Sequence, residues 1–251
     1  MNRKSRIIIG AILFGILVSS SVVASLNTSD IQAMQAAYAT TNENRNTDST
    51  TNHATTTHIA SSHIANSSTL PTDATTKLAS ALNSLWVDHI VWTRMYIVSY
   101  LADLPDTDVV AQRLLKNQEN IGDAIKSFYG EEAGNKLTDL LKGHILVAVD
   151  LLKAAKAGDS SAVAEAEKQW YQNADDIATF LSNANPNWSK KSLTKMLHEH
   201  LTLTKAEAVA RLTGNYTGDI ATFDLIHQHA NGMSDAIVDG IVKQFPEKFQ
   251  E

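Results

Sequence analysis

Cysteine is absent from the 251 residues. Disulfides, thiolate metal sites and cysteine nucleophiles are therefore excluded, and an exported form of this chain must rely on its hydrophobic core. Proline is scarce at 4 and glycine at 11, which leaves long stretches free of helix-breaking residues. Positive charge is also short. The formal net charge is −6, and setting aside the N-terminal trio Arg3, Lys4 and Arg6 leaves 18 basic against 27 acidic residues. That balance argues against a nucleic-acid-binding surface and against a polybasic membrane patch. Catalytic signatures are missing too. The sequence contains no P-loop, no G-x-G-x-x-G, no G-x-S-x-G and no H-E-x-x-H. It also lacks the paired Glu-x-x-His motifs of a di-iron bundle. An enzyme is thus the least supported class.

The chain opens on an expected export signal, residues 1–24. Arg3, Lys4 and Arg6 form a charged start, IIIGAILFGILV follows, and Val22 and Ala24 offer a cleavage site. Uncleaved, residues 7–23 would instead serve as a membrane anchor, at the lower limit of length for a span. Residues 25–71 read as a linker rich in Ser, Thr and Asn with little to bury. His53, His58 and His63 in it read as solvated residues of a tether. The folded domain is expected over 72–251, placing it in a secreted or cell-surface protein.

Within that domain one unit occurs three times. LNSLWVDHI (82–90), LTDLLKGHI (137–145) and LTKMLHEHL (193–201) share a pattern that makes His89, His144 and His200 equivalent. A second stretch repeats in step and aligns Asn117, Asn173 and His229. A fixed period signals a repeat built from one supersecondary unit. Apolar spacing near 3.6 residues predicts an all-α fold of six long helices, about 73–102, 107–129, 131–157, 160–183, 189–212 and 219–244. Gly130, Gly158, Gly214 and Pro186 fall between them. Short connections pair the helices as three antiparallel hairpins, expected to stack in a row as overlapping four-helix bundles.

Each repeated histidine lies on a mostly apolar face, as do Asn117, Asn173 and His229. Counting residues from the turns puts each histidine level with its partner, so three pairs share one polar layer. Two readings follow. The pairs satisfy each other and fix helix register, because an unpaired buried polar group costs about 1–3 kcal/mol. Alternatively, the imidazoles hold a metal ion or small ligand, with His200 and His229 as the leading pair beside His89 and His144. Met196 and Met233 would then suit copper, and Glu207 would suit zinc. His198 and His227 sit two residues from layer members and face elsewhere on the helix. Arg94 lies off the histidine face and is expected to pair with an acid at a helix interface.

The stretches LWVDHIVWTR, LLKNQENIGDAIKSFYGEEAGNKLTDLLKGHI, WYQNADDIATFLSNANPNW and DGIVKQFPEKF resemble a family of uncharacterised exported helical proteins of bacteria. The resemblance runs from about Leu85 to Phe245. Members sometimes carry the labels glycosyltransferase or acetylglutamate kinase, but both activities need an α/β nucleotide-binding sheet that this chain does not encode. The resemblance implies an exported helical domain and brings no catalytic residues. Two functions are therefore expected: a binding protein for a metal (zinc or copper) or small ligand, or a tethered interaction module without a ligand.

Overall fold

The computed structural model describes residues 72–250. The expected signal segment and linker lie outside the described residues. Five α-helices follow one another: α1 Asp73–Leu101, α2 Thr107–Ala157, α3 Ser160–Ala184, α4 Lys190–Leu212 and α5 Tyr216–Gln244. A 3-10 turn, Pro246–Lys248, follows. There is no strand among the described residues, as the apolar periodicity leads one to expect. None of the described helices is long and apolar enough to cross a membrane.

Side-chain oxygens start three of the helices by accepting from the free N–H groups of the first turn. Thr72 Oγ1 accepts from Thr75 N–H at 3.2 Å. Asp159 Oδ1 accepts from Ser161 and Ala162 N–H at 3.1 and 3.0 Å. Asn215 Oδ1 accepts from Gly218 N–H at 3.0 Å. Ser189 precedes α4 as expected, but its side chain makes no capping hydrogen bond.

The expectation of six separate helices becomes five. No loop intervenes at Gly130; a single residue with φ 84° and ψ 169° interrupts α2. That left-handed φ is open to glycine at little cost. The two arms of α2 then fold against each other. Lys142 Nζ meets Glu119 Oε1 at 2.7 Å across them. Closer to the turn, a Cβ on Gly122 would stand 2.6 Å from the Gly134 carbonyl oxygen and 2.0 Å from Thr138 Oγ1. Glycine therefore has a second use that its reading as helix punctuation misses: inside α2 it lets two backbones approach.

The stacked row is replaced by a closed arrangement. Each helix packs on its neighbours in sequence, and α1 also packs along α5. Asn83 Nδ2 donates to Asn231 Oδ1 at 2.9 Å across that closing seam. The main apolar core includes Leu82, Ile121, Ile177, Leu201, Met233 and Ile241, with Trp188 and Phe249 at the Gly130 end. A smaller cluster of Tyr96, Ile97, Val110, Leu114, Ile145 and Leu152 fills the other end. Along α1, α2 and α4 the three repeated histidines come between the two.

The close approach inside α2 sets a stability prediction. Gly122→Ala should lower the unfolding free energy by about 2 kcal/mol or more, since overpacking typically costs about 1–3 kcal/mol and the obstacle here is partly backbone. Gly232 in α5 has nothing within 4 Å of an added Cβ. Gly232→Ala should instead stabilise, by up to about 1 kcal/mol. Urea unfolding of both variants checks the pair, and equal effects would show that the arms do not meet.

Candidate functional site: a buried histidine layer and its cavity

The structure brings the four histidines together. His200 is the hub: its ring centroid lies 5.6 Å from that of His89, 6.3 Å from that of His144 and 6.3 Å from that of His229. All four are buried. α1, the second arm of α2, α4 and α5 supply one each, which only the closed arrangement allows.

The second-helix residues share a task that spacing alone did not disclose. Asn117 Nδ2 donates to Leu85 O at 3.0 Å, Asn173 Nδ2 donates to Leu140 O at 3.0 Å, and His229 Nε2 donates to Met196 O at 2.9 Å. Each acceptor carbonyl lies four residues before the repeated histidine of its partner helix. One side-chain hydrogen bond therefore ties each helix pair at the same height.

Beyond that bond the three pairs differ. Asn173 uses both ends of its amide, and its Oδ1 accepts from His144 Nδ1 at 2.8 Å. The indole of Trp170 donates from Nε1 to His144 Nε2 at 3.1 Å. An indole N–H can only donate, so His144 Nε2 accepts and the proton sits on Nδ1. His144 is a neutral imidazole with both nitrogens engaged.

In the first pair the expected His89–Asn117 contact is displaced by one residue. The Gln118 amide nitrogen meets His89 Nδ1 at 3.2 Å and donates to Leu114 O at 2.9 Å and Asn117 Oδ1 at 3.1 Å. Those two bonds use both hydrogens of the amide, and Gln118 Oε1 is buried without a partner. His89 stands 16 residues before Pro105 and Asn117 12 after it, the least even of the three pairs, and the sequence signal for Gln118 is only its place beside Asn117.

In the third pair, His229 replaces the two-ended amide. It makes the carbonyl bond but offers no amide oxygen to His200, and His200 Nδ1 is buried without a partner. Asn→His at that one position thus explains the orphaned nitrogen at the centre of the layer.

Burial sets the protonation of the layer. Desolvation holds His89 down to about 3, with His144 adding to it, and holds His144 down to about 4. Desolvation and the other three imidazoles hold His200 well below the usual histidine value. His229 is also lowered, first by burial. The layer is therefore a set of neutral rings.

As a metal centre this set is poorly furnished. Among the described residues there is no group of three or more His, Asp or Glu placed to hold a metal ion. His144 has no lone pair to spare, and His229 Nε2 is spent on a carbonyl. The expected helpers lie elsewhere. Met196 and Met233 belong to the main apolar core. Glu207 is bound to Arg94, as is Asp219. Arg94 also stands 4.8 Å over the Phe223 ring, and Arg211 Nη1 reaches Asp219 at 3.3 Å. Burial pushes the Glu207 carboxyl up to about 7 against the pull of Arg94. This cluster is the acid partnership expected of Arg94, joining α1, α4 and α5. Of the two discounted histidines, His227 is exposed. His198 Nε2 meets Asp175 Oδ1 at 2.8 Å on the α3–α4 seam.

Next to the layer lies a cavity of about 250 Å³ between α1, α2, α3 and α4. Thr93, Ala148 and Thr204, each one turn beyond a layer histidine, line it together with Trp170. Tyr96, Ile97, Leu152, Val163 and Val209 are among its apolar walls. The Thr93 and Thr204 hydroxyls are spent on the carbonyls of His89 and His200, at 2.7 and 2.9 Å. Glu167 and Lys205 also line the cavity and pair with each other at 2.6 Å. No pattern of residues announces this cavity, because its walls look like ordinary helix core.

Comparison with known proteins finds no matching family model, no matching curated protein and no matching solved structure. Function is therefore argued from this geometry.

Two predictions follow from the layer. His229→Asn restores an amide able to serve both Met196 O and His200 Nδ1, and should stabilise by about 1 kcal/mol, as one buried ring nitrogen regains a partner. Asn173→Ala strands two buried groups and should cost about 3 kcal/mol. Thermal and urea unfolding measure both, and a destabilised His229→Asn would contradict the assignment.

The second concerns pH. Unfolded histidines take up a proton near pH 6.5, while the buried ones refuse it until about 4 for His144 and about 3 for His89. Stability should be full above pH 6.5 and fall as pH drops toward the folded values, by about 1.4 kcal/mol per unit for each histidine. Glu207 is raised, so it acts in the opposite sense between its unfolded value and about 7, but four histidines outweigh it. Unfolding free energies at pH 7.5, 6 and 5 should decline steeply, and a flat profile would contradict a neutral layer.

Proposed function

We propose that this protein binds a small apolar molecule in the cavity beside the histidine layer. The observation that carries the reading is the cavity itself. Its walls are aliphatic and aromatic, and Glu167 and Lys205 are the only charged side chains among the described residues that line it. Concave, mostly apolar sites with a few placed polar groups are the usual form of a small-molecule site. At about 250 Å³ it falls just below the usual pocket range of roughly 300–1,000 Å³. That favours a ligand of modest size. The layer forms the rigid polar boundary of the site and holds the four helices around it in register.

The sequence supports the setting for this activity. A basic start, a short apolar run and a small-residue cleavage site favour export, and residues 25–71 would tether the domain. The three equivalent hydrogen bonds from Asn117, Asn173 and His229 favour a threefold repeat of helix pairs. The Gly130 interruption favours counting six helical segments. A metal-binding role at His200 and His229 has less support than the cavity, because the nearby nitrogens are largely engaged. A ligand-free interaction module is the second reading. It draws on the exposed apolar side chains Val109, Tyr216, Ile220 and Leu146.

The test is occupancy of the cavity. A neutral apolar fluorophore, N-phenyl-1-naphthylamine, should brighten on mixing with the protein. Ala208→Phe, which places a ring in the cavity wall, should weaken that binding about tenfold or more while leaving helix content unchanged by circular dichroism. No brightening with the unmodified protein would remove the binding reading and leave the interaction module.

A further inference from the structure

We infer that the cavity takes a carboxylic acid with a hydrocarbon tail, whose carboxylate replaces Glu167 on Lys205. This deepens the apolar-ligand reading and rests on it. The cavity holds one place where a charge can be satisfied, the ion pair between Lys205 on α4 and Glu167 on α3 at 2.6 Å. The two partners are not equally free to leave. The Glu167 side chain keeps 30% of its exposure and Lys205 only 16%. Glu167 is the partner nearer to water, so its carboxylate can turn outward at less loss than the ammonium of Lys205. Lys205 is the more enclosed partner and lines an otherwise apolar cavity, and a lysine stem suits apolar surface while its charge reaches a polar partner. An incoming anion therefore meets a cation held in place and a rival that is easily displaced. An incoming amine would have to expel the more deeply held partner.

The position of the pair agrees with this. On the α3–α4 seam the links run in order: Asp175 to His198, Tyr171 to Thr202, then Glu167 to Lys205. Beyond the last of them, Val163, Ser160, Val209 and Leu212 line the cavity. From Glu167 to Ser160 is seven residues, about 10 Å of helix at 1.5 Å per residue. A tail of eight carbons has a comparable length. With its head at Lys205 such a tail stays among apolar walls, where each buried methylene contributes about 0.8 kcal/mol.

The test compares octanoate, 1-octanol and octylamine by calorimetry with the full chain. Octanoate should bind about fivefold or more tightly than octanol, and octylamine weakest. Lys205→Gln should weaken octanoate about tenfold and leave octanol within about twofold. Glu167→Gln removes the rival carboxylate and should tighten octanoate several-fold, a change of opposite sign that a loss of folding cannot mimic. If octanoate and octanol bind equally and neither variant separates them, the head-group inference fails while the apolar-ligand reading stands. A preference for octylamine overturns the inference as well. If none of the three binds, both fall.

Discussion

Four imidazoles packed around one another in a protein interior must be uncharged, and the rest of this structure is arranged to meet that requirement. A single proton on His200 would place a positive charge in a buried site among three other imidazole rings. Burying an unpaired charge costs far more than any hydrogen bond returns. Neutral rings still need partners for their N–H groups and lone pairs. The partners differ from ring to ring: an amide and an indole for His144, a glutamine for His89, a backbone carbonyl for His229. His200 is the exception, with Nδ1 left over. The charged groups of the interior are kept apart, in the Arg94, Glu207 and Asp219 cluster on the seam that closes α1 against α4 and α5.

The layer also explains why the cavity beside it can persist. Asn117, Asn173 and His229 each bind a carbonyl on the partnering helix at the same height, so the helix pairs cannot slide. Above that fixed level the walls are free to vary in size. Thr93, Ala148 and Thr204 stand one turn beyond the histidines and are small, and the space they leave is the cavity. The three bonds set the register, and the small residues one turn beyond them leave the adjoining void.

Much of this was legible in the sequence, though unevenly. The all-helical fold follows from the 3.6-residue spacing of apolar positions. The inward aim of His89, His144, His200, Asn117, Asn173 and His229 follows from the same spacing, because faces are a local property of a helix. Partner choice was less legible. His144 and Asn173 meet as expected, but His89 meets Gln118, since a one-residue shift in rotation is finer than residue counting can resolve. The closed arrangement was not legible, because local patterns do not say whether the first helix returns to the last. Glu207 looked like a ligand from α4 alone and proved to belong to Arg94, 113 residues away in sequence. Gly122 and Gly134 carry no signal of their own in the sequence and are points of close backbone approach, a pairing visible only once the chain is seen to fold back at Gly130.

The neutrality of the layer shows most directly in the state of His144 at its edge. Nitrogen-15 spectroscopy of the histidine side chains reads tautomer and charge for each ring. His144 should appear as the neutral ring with its proton on Nδ1, hydrogen-bonded at Nε2, and should stay so from pH 7 to about 5. An imidazolium signal from His144 at pH 6, or a proton on Nε2, would contradict the neutral layer on which the rest of the structure is built.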